Sequence, residues 1–134
     1  MPQHIKYIDK ICREKQRDVL YLTFDKEIFP NPNWPTWQTR NDIINWLEQH
    51  NINYTPCGNV ASQHTISSYR GQIYIDVPYD ETEPDFIKLS QFLEHPDGST
   101  KIKGVIFCYL TLEHAMKNKH HDEPGFWENL MEEF

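Results

Sequence analysis

The sequence predicts a single α+β domain over residues 1–134, of the ferredoxin-like, split βαβ kind. This is an antiparallel four-stranded sheet with two helices on one face, here with added N-terminal and C-terminal helices. After the first helix, the elements read from the residues run β-α-β-β-α-β. In the arm 72–77, Ile73, Ile75 and Val77 alternate with Gln72, Tyr74 and Asp76, which gives one covered face and one polar face. The helices at 39–50 and 82–94 carry apolar stripes, Ile43, Ile44, Trp46 and Leu47 in the first and Phe86, Leu89, Phe92 and Leu93 in the second.

Residues 3–16 read as a helix, because Ile5, Ile8, Ile11 and Cys12 recur at three and four. Val19-Leu20-Tyr21-Leu22-Thr23-Phe24 reads as a strand, with Leu20, Leu22 and Phe24 on one face. Pro30, Pro32 and Pro35 keep 25–36 a loop. The next helix runs from Thr36 or Thr39 to His50, with Thr39 and Asp42 as a capping pair and Asn51 as its stop. A short strand covers 52–56. A hairpin then joins 65–69 to 72–77 through Arg70-Gly71. Thr82, Pro84 and Asp85 open a helix whose buried stripe is Phe86, Leu89, Phe92 and Leu93. Val105 to Leu110 is apolar throughout and reads as a covered strand. Thr111 caps a short helix, and 124–134 reads as a terminal helix with Phe126, Trp127, Leu130, Met131 and Phe134 on its sticky side.

At 134 residues the chain is long enough to hold a core without disulfides or metal. Its 13% aromatic content argues against disorder. Cys12, Cys57 and Cys108 are far apart and form no C-x-x-C pair, which points to buried thiols in a reducing cytoplasm. No apolar run is long enough to cross a bilayer, and the first residues do not read as a signal peptide. The net charge of −7 disfavours a general nucleic-acid surface and suits a basic protein partner.

Three groups of residues are candidates for function. The first is the acidic segment Asp76, Asp80, Glu81, Glu83, Asp85 and Glu94, answered only by Lys88. Tyr79, Phe86, Trp34 and Trp37 are the aromatic anchors that an interface there would use. The charge logic is that of small acidic inhibitors and immunity-type proteins, which neutralise basic nuclease toxins. A homodimer through an exposed strand edge or the terminal helix is a further arrangement the pattern allows.

The second group is Tyr21 and Tyr74 on the sheet face away from the two helices, joined there by Tyr109 or Cys108. The terminal helix is a competing cover for that face. Leu20-Tyr21-Leu22-Thr23 resembles the first ribonucleoprotein motif of RNA-recognition domains. Arg70-Gly71-Gln72-Ile73-Tyr74-Ile75-Asp76-Val77 resembles part of the second. The resemblance implies single-stranded RNA stacking on Tyr21 and Tyr74. Gln72 and Val77 stand where the motif has aromatics, and Asp76 sets a negative charge on the face that phosphates would approach.

The third group is His114, His120, His121 and Asp122, whose side-chain types ligate zinc-like metals and would make a metal-dependent enzyme. His114 and His120 are six apart, so one helix would not present both. Of these, His114, His120 and Asp122 are the candidate ligands. Cys57, with His64 nearby in sequence, is a candidate nucleophile–base pair. No phosphate-binding glycine loop or nucleophile elbow is present, so the residues favour a binding protein without a cofactor over an enzyme.

Overall fold

The computed structural model describes residues 5–61 and 69–126. Helix α1 spans Ile8–Lys15 and ends where Gln16 turns left-handed, at φ 56°. Strand β1 is Val19–Phe24, as its alternation predicts. Helix α2, Gln38–Gln49, starts one residue before Thr39. The expected Thr39/Asp42 cap does not form: Trp37 holds the cap position without a side-chain bond, and Asp42 accepts from Gln38 Nε2 at 2.6 Å. Asn51, at φ 57°, lies just past the end of this helix as expected.

Strands β2 (Tyr54–Pro56) and β3 (Ile73–Ile75) are short. The expected hairpin across Arg70-Gly71 is replaced, because the described neighbours of β3 are β2 and β1. Of its first arm, Thr65 to Ser68 lie outside the described residues, and Tyr69 is not in a strand. Helix α3 is Pro84–Leu93, preceded by Glu83 without a side-chain cap. Thr82 is not its cap, since its hydroxyl donates to Asp80 at 2.7 Å. Strand β4 is Val105–Leu110, and helix α4 is Leu112–Met116. Thr111 Oγ1 caps α4 by accepting from the His114 N–H at 3.2 Å. The terminal helix expected over 124–134 lies outside the described residues from Trp127 onward.

The four strands form one antiparallel sheet in the order β2-β3-β1-β4. Leu20, Leu22, Phe24, Ile73, Ile75 and Val105 face Ile43 and Leu47 of α2 and Leu89 and Leu93 of α3. Each such fully buried Leu or Ile contributes about 1.5–3 kcal/mol relative to exposure.

The opposite face is covered too. Val19, Cys57, Tyr74 and Leu110 pack with Ile8, Ile11 and Cys12 of α1 and Ala115 of α4. This corrects the expectation of an open face. The apolar stripe of α1 needs an apolar partner, and the odd-numbered residues of β1 supply it.

Gly104 makes the tight entry into β4. Its φ is +84°, and a Cβ there would lie 2.6 Å from Phe29 Cε2 and 2.7 Å from Ile28 Cγ2. Gly104→Ala is therefore expected to lower stability by about 1–3 kcal/mol in urea unfolding, through backbone strain and the clash together. An unchanged midpoint would show that the 26–29 loop yields freely.

Candidate functional site

The sheet-face tyrosines are occupied inside the fold. Tyr74 is 3% exposed, and its hydroxyl donates to Asp76 at 2.8 Å. Tyr21 is half-buried against the α1 and α4 cluster. Burial pushes the Tyr21 phenol up to about 12 and raises Tyr74 as well. Tyr74 offers no free face for base stacking and Tyr21 is partly covered, so the packing counts against the RNA-binding expectation.

Asp76 accepts further from Arg17 at 2.7 Å and Lys15 at 3.3 Å. Burial works to raise its pKa, but the Tyr74 hydroxyl and the two cations outweigh this and hold it below the usual value. Expected as part of the partner site, Asp76 is neutralised by the chain's own bases.

The rest of the acidic segment is arranged differently. Val77 ends the run out of β3, and Tyr79 then packs on Phe86 of α3 at 5.4 Å and on Tyr109 of β4 at 4.9 Å between ring centroids. Tyr79 is 44% exposed and Tyr109 56% exposed. With Leu20, Glu94 and Phe107 they line a cleft of about 200 Å³. Asp80, Glu81, Glu83 and Asp85 flank these rings in sequence. Hydrogen bonds from the Thr82 side chain and backbone lower the Asp80 pKa, so it carries full charge at neutral pH. Among the described residues, none of Asp80, Glu81, Glu83, Asp85 and Glu94 forms an ion pair. The three rings thus meet at a cleft that Glu94 also lines, next in sequence to carboxylates that pair with no cation among the described residues.

Of the two residues expected to join Tyr21 and Tyr74, Cys108 lies beside Tyr21, whereas Tyr109 lies on the α3 side of the sheet with Tyr79 and Phe86. The exposure of Tyr109 follows from the position of β4 at the edge of the sheet.

Trp34 and Trp37 do not join this patch. Trp37 is 7% exposed, with its ring 5.6 Å from Phe24 and 4.9 Å from Phe29. Its indole N–H donates to the Asn31 carbonyl at 3.1 Å. Trp34 lies edge-on to Tyr69 at 5.1 Å, with the Arg40 guanidinium 4.4 Å over its ring. Phe24 pairs with Val105. Trp37 thus sits toward the Val105 end of β4, and Val105 is about 13 Å along the strand from Tyr109 at the usual rise per residue.

The expected metal ligands do not converge. Both oxygens of Asp122 accept from Arg13, at 2.7 and 2.8 Å. His114 is exposed on α4, whereas His121 is buried with its ring 4.7 Å from Phe126. Among the described residues, no group of three His, Cys, Asp or Glu side chains could hold a metal ion. Burial pushes the Cys57 thiol up to about 12, which opposes the thiolate a nucleophile needs. Its sequence partner His64 lies outside the described residues.

No family model, curated protein or solved structure matches this chain. No described helix is long and apolar enough to cross a membrane.

Proposed function

We propose that this domain binds a basic protein through the patch formed by Tyr79, Phe86 and Tyr109 with Asp80, Glu81, Glu83, Asp85 and Glu94. The observation that carries the reading is the contact of two half-exposed tyrosines among five carboxylates that no cation of the described chain neutralises. Aromatic rings supply contact area at low entropic cost. The carboxylates speed encounter with a positive surface and set the orientation. An inhibitor of the immunity type, masking the positive active surface of a toxin, is the role that fits this chemistry. The sheet is read with it as the split βαβ layout: α2 joins β1 to β2 with β3 inserted between them, and α3 joins β3 to β4 across β1.

The test is charge reversal. Immobilised wild-type protein and a variant carrying Asp80→Lys, Glu81→Lys and Glu83→Lys are each exposed to native extract, and captured basic proteins are re-measured by biosensor. Association with the variant is expected to slow at least about tenfold at low salt, with a flatter salt dependence. All three residues lie on the surface or at its rim, so the variant's circular dichroism should match wild type. Equal association rates for the two proteins would assign binding to another surface.

A further inference from the structure

The two edges of the sheet are built differently, and hydrogen-bond parity shows how. In an antiparallel ladder, residues alternate between facing the neighbouring strand and facing away. Asp76 N–H donates to the Asn53 carbonyl at 2.9 Å, and Cys57 N–H to the Gln72 carbonyl at 3.2 Å. Asn53, Thr55 and Cys57 therefore face β3, and Tyr54 and Pro56 face outward. This edge is three residues long, and Pro56 has no N–H to offer, which is how natural sheets blunt an edge.

The β4 edge lacks such protection. Asp25 N–H donates to the Gly104 carbonyl at 2.8 Å, so Gly104, Ile106, Cys108 and Leu110 face β1. Val105, Phe107 and Tyr109 face outward. Val105 is satisfied within the chain: its N–H donates to the Ile102 carbonyl and its carbonyl accepts from Thr100 Oγ1, both at 3.1 Å. Phe107 and Tyr109 are left with their N–H and C=O groups turned away from β1, where the described residues supply no strand. The strand has no Pro and no charge, and Ile106 and Tyr109 are 48% and 56% exposed on its opposite faces.

We propose that two copies of this chain pair through this edge, antiparallel and centred on Cys108. In that register Phe107 of each copy faces Tyr109 of the other, and all the outward groups of both residues are used in four N–H···O=C bonds. Sliding the copies so that Phe107 meets Phe107 spends Tyr109 on Val105, which is already bonded. Sliding the other way sets Phe107 against Thr111, whose carbonyl already accepts from the Ala115 N–H in α4. The central register also lays Tyr109 across Phe107 on one face and Ile106 across Leu110 on the other, a favourable cross-strand pairing that covers both exposed side chains.

Charge agrees with the antiparallel direction. Lys101 and Lys103 lead into the Val105 end of β4, where Glu94 also reaches through its bridge to Thr100, while Tyr79, with Asp80 and Glu81 beside it in sequence, lies at the Tyr109 end. Pairing sets the basic end of one copy beside the acidic end of the other. The net −7 of each chain counts for less, because charges more than about 8–10 Å apart are screened at physiological salt. A basic extended peptide could use the same edge, but it would leave Lys101 and Lys103 facing like charge.

The register makes Cys108 its own reporter. The two Cys108 residues form a non-hydrogen-bonded pair with Cα atoms about 4.5 Å apart, within disulfide range. Cys12 and Cys57 are buried. Diamide, accepting two electrons and two protons, should join the two thiols in wild-type protein and leave Cys108→Ser uncrosslinked. Sedimentation at several concentrations should show a monomer–dimer equilibrium that Ile106→Lys weakens at least about tenfold, with unchanged circular dichroism. A monomer at every concentration would overturn the proposal, as would a dimer indifferent to Ile106→Lys or one that Cys108 does not crosslink. Amide protection of Phe107 and Tyr109 by a basic peptide in a purely monomeric protein would assign the edge to that other occupant. Tyr109 belongs to both proposed surfaces, so a second copy and a basic partner would compete for it; a monomer that still captures a basic partner removes the dimer alone.

Discussion

Arg13→Met is expected to lower stability by about 3–5 kcal/mol, the range seen when one member of a buried ion pair is removed. Arg13 is 6% exposed and Asp9 is fully buried, both on the flank of α1 that meets α4 and the residues around it. Arg13 Nη1 donates to Asp9 at 3.0 Å and to the Ala115 carbonyl at 2.9 Å, while Nε and Nη2 hold Asp122. Asp9 also accepts from the Ala61 N–H at 2.9 Å and from Asn118 Nδ2 at 3.2 Å. One guanidinium thus ties α1 to α4, to the turn after it and, through Asp9, to the segment following β2. Met preserves much of the volume but leaves the Asp9 charge without its cation. Lys6→Met, which breaks the exposed Lys6–Glu14 pair, should cost under about 1 kcal/mol and serves as the control.

The same substitution has a signature in pH. The hydrogen bonds from Arg13 lower the Asp122 pKa from its ordinary 3.8. Its stabilising contribution is therefore complete above 3.8 and lost as pH falls through the lower folded value. Burial also lowers the His121 pKa from 6.5, so protonation opposes folding and wild-type stability should begin to fall below that pH. In Arg13→Met the Asp122 part of the slope disappears. The variant's deficit in urea unfolding should shrink on going from neutral pH to acid. A deficit constant with pH would mean that the loss is one of packing.

The strand β1 and the helices α2 and α3 were legible because their apolar residues recur with the period of the element that buries them, and β4 because its six residues form an unbroken apolar run. The second layer was less so. The stripe Ile8, Ile11 and Cys12 is visible, but a periodicity that scores only apolar residues treats Asp9 and Arg13 as a solvated edge. Charges four apart on a helix suit solvent and burial equally well, and only the position of Asp122, more than a hundred residues on, decides between them. The tyrosine strip looked open for the same reason, because its cover is a basic helix. Of the candidate site, Tyr79, Phe86 and the carboxylates 80–85 were legible as neighbours in sequence. Tyr109 was legible only as an alternative to Cys108 on the other face, since its place beside Tyr79 and at the sheet edge depends on long-range pairing. Pro56 carried the one local hint of an edge, and it marks the opposite strand.

Trp37→Ala should separate an anchor of the core from an anchor of an interface. As a surface residue it would change binding and leave stability within about 0.5 kcal/mol. The structure instead packs it against Phe24 and Phe29 with its indole N–H bonded to Asn31, beside the Gly104 turn that admits β4. Truncation removes the ring contacts and leaves a cavity that the 25–36 loop and β1 cannot both close. The expected loss is about 3–5 kcal/mol, seen as a fall in melting temperature on the order of 10 °C or more. Tyr109→Ala is the matched opposite: its ring is more than half exposed, so the melting temperature should hardly move while partner association weakens. If the two variants exchange behaviours, the aromatic centre of the interface belongs at the Trp34–Trp37 end of β4 and the acidic patch is its rim at most. If Trp37→Ala unfolds the protein and Tyr109→Ala leaves both stability and association intact, the core assignment stands and the patch loses its aromatic anchor.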